Sequence, residues 1–382
     1  MLETTLGDAC ARIDYGFTAS STLDDVGPRF LRITDIEQSH VAWSTVPFCM
    51  ATAAEEAKYA LADGDIVVAR TGASTGRSQW IQLDEPAVFA SYLVRFRTKS
   101  EFDSRFIAFL LQTSEWLGFV DRQAHGKSAQ PNMSAASMAA FRFRYPPLAE
   151  QQAIAEVLGA LDDKIAANTT LAATADLCAS TVLLQSLSTH RVRLDSLARI
   201  TMGSSPKGET LNEIGEGVPF YQGVRDFGFR SPTRRVFTTS PVRSADAGDI
   251  LLSVRAPVGD VNLAAEPICI GRGVAAVRST VGTQATLFHQ LRVEREAWEP
   301  FEAEGTVFGS INRDQLHGIQ LRPVVDHLAD AVERQLAAIE ASIESTLAEN
   351  RILAATRDAL LPHLMSGKLL VRDAVRLVER EV

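Results

Sequence analysis

The stretch Thr71-Gly-Ala-Ser-Thr-Gly-Arg-Ser78 has the glycine and hydroxyl content of a loop that cradles phosphate through its backbone N–H groups. A nucleotide-binding P-loop needs four residues between its glycines and a Lys before the Ser or Thr. Here there are three, and Arg77 stands where the Lys would. Tyr145-Pro-Pro-Leu148 shares its two prolines with the Asn/Asp-Pro-Pro-aromatic motif of amino-methyltransferases, but a tyrosine cannot supply the acceptor that motif places on the target amino group. No Gly-x-Gly cofactor loop follows a strand nearby. Ser204-Ser-Pro-Lys207 fits the Ser-x-x-Lys of acyl-transfer enzymes without the companion Ser-Asp-Asn or Lys-Thr-Gly. The seven histidines lack H-E-x-x-H spacing, and Cys10, Cys49, Cys178 and Cys269 form no C-x-x-C pair. The expectation is therefore no catalytic residue, no metal, no cofactor held by this chain, and four buried free thiols.

What remains is a set of Arg, Asn, Gln and Lys side chains in Gly-rich loops, placed twice. Arg70, Arg77 and Gln79 follow one Gly-Asp strand; Arg255 and Asn262 follow another. Lys127, Gln130 and Asn132 extend the first group, and Lys207, Arg225, Arg272, Asn312 and Arg313 the second. Such side chains read base edges, Arg on guanine and Asn or Gln on adenine, or anchor phosphates. Any one of them serves as readily in a structural ion pair.

The elements that must position these groups come from an internal repeat. A shift of 182 residues lays Leu171 to Thr174 on the identical Leu353 to Thr356, and Asn168 on Asn350. The same shift puts Ile154, Leu161 and Ile165 on Leu336, Ile343 and Leu347. Upstream, Gly64-Asp-Ile-Val-Val68 answers Gly248-Asp-Ile-Leu-Leu252, each a turn opening a buried strand. Ile154, Leu158, Leu161, Ile165, Asn168, Ala172, Ala175, Ala179 and Val182 recur at steps of four and three, a heptad seam on a helix begun by Pro146-Pro147. A second helix from about Asp326 is expected to end at Pro362. The seam asparagines, Asn168 and Asn350, are candidates for fixing register.

The predicted class is α/β in the α+β sense. Globular domains occupy residues 1–147 and 189–325, and the long helices 148–188 and 326–365 run antiparallel as a coiled coil with pseudo-twofold symmetry. A tail, 366–382, is expected to lie on the first domain, with Leu369, Leu370 and Val371 covering an edge that the second domain closes with its lead-in segment. The net charge of −9 argues against a uniformly basic nucleic-acid binder. The acidity is local: the first long helix has one basic side chain and five acidic ones, while the domains are nearly balanced. No apolar run approaches the ~20 residues of a membrane span, so a cytoplasmic protein is expected.

At this point the sequence resembles the specificity subunits of type I restriction-modification systems. Pro146-Pro-Leu-Ala-Glu-Gln-Gln-Ala-Ile-Ala-Glu-Val-Leu-Gly-Ala-Leu-Asp-Asp-Lys-Ile165 is similar to that family's central conserved region. The runs Gly64 to Gly76, Met202 to Thr210 and Val218 to Gly223 resemble its target-recognition domains, and Leu361-Pro-His-Leu-Met-Ser-Gly-Lys-Leu369 its C-terminal end. The resemblance implies a DNA-binding subunit without catalysis. Each domain would read half of a split, asymmetric duplex site. The helices would set the spacing and dock methyltransferase subunits, two of them, with restriction subunits joining in the full complex. S-adenosylmethionine and ATP with Mg would belong to those partners. The second helix lacks the Glu-Gln-Gln start, so docking there is expected to be less secure. Two rivals stand beside this reading: a coiled-coil scaffold that binds only protein, and a self-sufficient methyltransferase, which the missing cofactor loop disfavours.

Overall fold

The computed structural model describes residues 2–36, 40–124, 131–302 and 309–381. They form two compact units: residues 1–170 with 347–382, and residues 171–346. Each unit holds one domain and part of both long helices, Leu148–Ser186 and Ala329–Met365. No described helix is long and apolar enough to cross a membrane.

The domains repeat one topology. In the first unit an antiparallel sheet runs in the order Cys10–Tyr15, Leu93–Thr98, Ile66–Ala69, Ser78–Trp80. In the second the order is Ala198–Met202, Val274–Ser279, Ile250–Ser253, Val261–Leu263. A second sheet in each contains one parallel pair: Arg29–Leu31 with Ala87–Phe89, and Val218–Tyr221 with Ile268–Ile270. The strands after the Gly-Asp turns are fully buried, as their unbroken apolar runs require. The acidic residues of those turns are structural. Asp65 accepts from Ala62 N (2.9 Å) and pairs bidentately with Arg97 (2.7 Å to each oxygen). Asp249 accepts from Asp246 N (2.8 Å) and pairs with Arg278.

The helices run antiparallel within each unit. In the first, Asn168 Nδ2 donates to Glu349 (2.8 Å), Asn350 Nδ2 to Ile165 O (3.3 Å) and Thr169 Oγ1 (3.2 Å), and Arg357 to Asp162 (2.6 Å). Ile154, Leu158, Leu161 and Ile165 are buried in one cluster with Leu353, Leu360 and Leu364. In the second, Ala179 and Leu183 pack with Val332 and Leu336, and Ile343 is buried; in the first unit Leu347 is half-buried. Leu183 rather than Val182 fills the last seam position, because a 3.6-residue helix drifts from a 3.5-residue repeat. Pro362 does not end its helix, which runs on to Met365; the Ser366 N–H and hydroxyl both donate back to Pro362 O. Cys178 is exposed, unlike the other three thiols; burial pushes Cys10 up to about 12 and Cys49 up to about 11.

The expectation for the tail needs two corrections. The edge left to the tail is already paired within the domain, Leu2–Thr5 with Arg142–Tyr145, as Val192–Arg193 pairs with Gln320–Leu321. The tail itself is a helix, Val371–Glu381. Ala374 is buried in the cluster that includes Leu6 and Ala9, with Leu369, Val371 and Val378 against it. Leu370 points outward and is 48% exposed.

Each domain is fastened to its helices through buried polar contacts and ion pairs. Gln151, fully buried, accepts from Asp103 N (3.1 Å) at the start of Ser104–Leu110 and donates to Pro146 O (2.9 Å). Its repeat counterpart Glu333 accepts from Ala285 N (3.1 Å) and Thr286 N (2.8 Å) at the start of Gln284–Val293. The Gln of Glu-Gln-Gln thus holds its own domain, and the second helix keeps the device with Glu333. Arg105 grips Asp163 (2.6 and 3.0 Å) and Gly159 O (3.0 Å). In the second unit, Arg230 bridges Asp176 (2.8 Å) and Glu340 (2.7 Å), Arg292 clasps Asp176 with both terminal nitrogens, and His289 Nε2 lies 2.8 Å from Glu340. Burial alone would raise the Asp176 carboxyl, but Arg292 and Arg230 outweigh it and hold the group below the usual carboxylate range. Asp162 goes the other way: burial raises it despite Arg357.

Two outcomes follow. Asp176→Asn leaves Arg292 without its carboxylate and Arg230 with Glu340 alone, and should cost about 3 kcal/mol at neutral pH. Because the folded carboxyl is held low, its contribution is full above the unfolded value of about 4 and fades as pH falls through the lower folded value. The wild type should therefore lose stability on acidification more steeply than the variant, read as melting temperature against pH. Truncation after Gly367 should speed hydrogen exchange in the first unit and leave the second unchanged.

Candidate nucleic-acid interface

The buried strands Ile66–Ala69 and Ile250–Ser253 deliver the candidate loops at their C-terminal ends. Both loops are held rigidly. In the first, Gly76 has φ +88, a Cβ there would lie 2.7 Å from Val120, and its carbonyl accepts from Trp116 Nε1 (2.7 Å). In the second, Gly259 has φ +89 and a Cβ would lie 2.3 Å from the Trp298 ring. The Ser253 hydroxyl spans that loop, donating to Pro257 O (2.5 Å) and accepting from Asp260 N (2.9 Å).

A second segment lies beside each loop. Thr71 bridges Asn132, flanked by Gly72 N to Pro131 O (3.0 Å) and Met133 N to Arg70 O (2.8 Å). Arg255 bridges Ser310, flanked by Ala256 N to Gly309 O (2.9 Å) and Ile311 N to Val254 O (3.0 Å). Each segment enters a short helix: Ser134 caps Ala135–Ala139, and Asn312 caps Arg313–His317.

In the second unit these pieces form a cleft of about 540 Å³ lined by Met202, Val254, Arg255, Ala256, Arg272, Gly309, Ser310, Ile311 and Asn312. Arg255 and Arg272 are exposed, and none of the described lining residues is acidic. Arg313 is exposed next to Asn312, whose Oδ1 already accepts from Gln315 N (3.0 Å). In the first unit Arg70 lies over the Tyr15 ring at 4.8 Å and donates to Asn132 Oδ1 at 3.4 Å. Arg77, exposed, instead lines a different cleft with Asp162 and Arg357.

Two of the sequence candidates need correcting. Gln79 is 8% exposed and donates to Trp80 O (3.0 Å); Asn262 is 2% exposed and bonds Gly228 through both its amide atoms (2.7 and 3.3 Å). Both lie on strands, Ser78–Trp80 and Val261–Leu263, with their side chains packed inside the domain rather than on a loop surface. Lys207 and Arg225 are exposed but do not line the cleft, and Lys207 is 3.8 Å from Glu209. Lys127 and Gln130 lie outside the described residues. Tyr15 and Met202 were not singled out by chemistry. Among the described residues, Asp176, His289 and Glu340 have metal-ligand spacing, but Arg230 and Arg292 already supply the positive charge there.

Residues 33–175 match the model of the type I restriction modification DNA specificity domain. A protein of Methanocaldococcus jannaschii, provisionally described as the specificity subunit of the type I restriction enzyme MjaX, is 26% identical, covering 96% of this chain and 93% of its own. The type I restriction-modification S subunit from M. genitalium superposes with a TM-score of 0.57 at 16% identity, covering 95% of each chain. The HsdS subunit from Thermoanaerobacter tengcongensis is 21% identical over 96% of this chain and 97% of its own, with a TM-score of 0.37. Residues 33–175 thus match the specificity domain of type I restriction-modification systems, while nearly the whole chain is similar to a provisionally described specificity subunit and shares the fold of a solved one.

Proposed function

We propose that the chain is the non-catalytic DNA-recognition subunit of a cytoplasmic type I complex, and that it selects a bipartite, asymmetric duplex site with one half read by each domain. The observation that carries this reading is the duplicated loop-and-segment site: one backbone arrangement built twice, bearing in the second unit two exposed arginines with no acidic side chain among the described lining residues. Rigid backbones of this kind suit base readout, since positioned guanidinium and amide groups lose little freedom on contact. The long helices would set the distance between half-sites and dock two methyltransferase subunits, with restriction subunits in the full assembly. S-adenosylmethionine, ATP and Mg would act in those partners.

The scaffold reading draws on Leu171, Leu177 and Leu184, large apolar side chains exposed on the first long helix. Under the proposed function the same side chains serve the docking of partner subunits, so they do not favour a scaffold over a DNA reader. Duplex binding separates the two readings. The full chain with its methyltransferase should bind duplex DNA with an affinity that falls with salt, log K losing about 0.9 per phosphate contact for each decade of salt. Exchanging residues 1–147 for those of a relative should change one half of the methylated motif and leave the other intact. Salt-independent behaviour, or a change in both halves, would overturn the proposal.

A further inference from the structure

Matching hydrogen bonds fix a residue-by-residue correspondence between the two candidate sites. Gly16 N donates to Leu93 O (3.3 Å) as Gly203 N does to Val274 O (3.0 Å). Arg70 N donates to Tyr92 O (3.0 Å) as Val254 N does to Gly273 O (3.0 Å). Thr71 bridges Asn132 as Arg255 bridges Ser310. Tyr15 therefore corresponds to Met202, Thr71 to Arg255, Tyr92 to Gly273 and, one residue earlier, Ser91 to Arg272.

The same backbone thus carries two chemistries. In the second domain Arg255 and Arg272 bring two planar donor forks to a cleft floored by Met202, Val254 and Ile311. In the first, the two equivalent positions hold the hydroxyls of Thr71 and Ser91; Tyr92, next to Ser91, is 61% exposed, and Tyr15, under Arg70, is 42% exposed. The nearby Arg70 is already engaged by Tyr15 and Asn132.

Resting on the DNA-recognition reading above, we propose that Arg255 and Arg272 read guanine in the second domain's half-site, and that the first domain reads its half without an arginine fork at the equivalent places. Guanine is the base whose major-groove edge offers two adjacent acceptors, O6 and N7, to a bidentate guanidinium. A phosphate would be held as well by any cation, but an arginine serving as a fork cannot be replaced by lysine without loss of geometry. The apolar floor beside the forks suits the flat face or methyl edge of a base better than a phosphate.

The test is selection from a pool of randomised duplexes by the full chain with its methyltransferase, comparing wild type with the double variant Arg255→Lys, Arg272→Lys. Both side chains are exposed, so the melting temperature should be unchanged. The wild type should select guanine at defined positions of one half-site. The lysine variant should lose that preference by about tenfold or more, keep the other half-site, and retain the salt dependence of non-specific binding. Uniformly weaker binding with guanine still selected, a change in both halves, or a wild-type consensus lacking guanine would overturn this inference alone. A wild type that selects no sequence at all would overturn the DNA-recognition reading with it.

Discussion

The ion pairs that the carboxylates of the long helices make, with domain arginines and with Arg357 of the second helix, are the constraint on which the rest depends. The first long helix has five acidic side chains and one basic one, an imbalance that isolated helices do not tolerate in a buried seam. Three of those five acids are consumed internally: Asp162 by Arg357, Asp163 by Arg105, Asp176 by Arg292 and Arg230. The net charge of −9 is therefore a poor guide to the surface a ligand meets. Acid is concentrated where domains clamp their helices, and at the cleft none of the described residues that line it beside Arg255 and Arg272 is acidic.

Much of the fold was legible in the sequence because it rests on periodicity and duplication. The unbroken apolar runs after Gly64-Asp65 and Gly248-Asp249 could only be buried strands, and the seam through Ile154, Leu158, Leu161 and Ile165 lies where its spacing puts it. The tail was misread because its role was inferred from an absence. Leu2–Thr5 is too short and too polar to announce itself as a strand, so the edge it closes looked open. Pro362 was misread because it lies near the helix end, where few backbone bonds remain to be lost.

The candidate site was less legible, and the reason is general. Residue type says that Gln79 and Asn262 can read a base, but a strand alternates its faces, and here the polar middle residue of Ser78–Trp80 and of Val261–Leu263 takes the buried face while its neighbours, Trp80, Val261 and Leu263 among them, are only half-buried, the reverse of what polarity suggests. Gln151 was obscured differently. Its motif was legible, but its role as a buried cap on Ser104–Leu110 depends on a helix nearly fifty residues away in sequence, which only the fold brings to it. Glu333 performs the same task with a different side chain, so a mismatch between the repeats concealed a shared mechanism.

The comparison of the two domains separates what the fold needs from what recognition can vary. Backbone bonds at Gly16 and Gly203, at Arg70 and Val254, and across the Thr71 and Arg255 bridges are the same, while the side chains projecting from them are not. Positions that carry the architecture, such as Asp65 and Asp249 with their arginines, are held in both copies by buried carboxylates that would be costly to strand. Arg255 and Arg272 project from the cleft as exposed side chains, so substitution there changes surface chemistry with little effect on folding. A duplicated domain built in this way can alter one copy's binding surface while the other stays fixed. An asymmetric pair of surfaces on a symmetric backbone is the physical form that independence takes here.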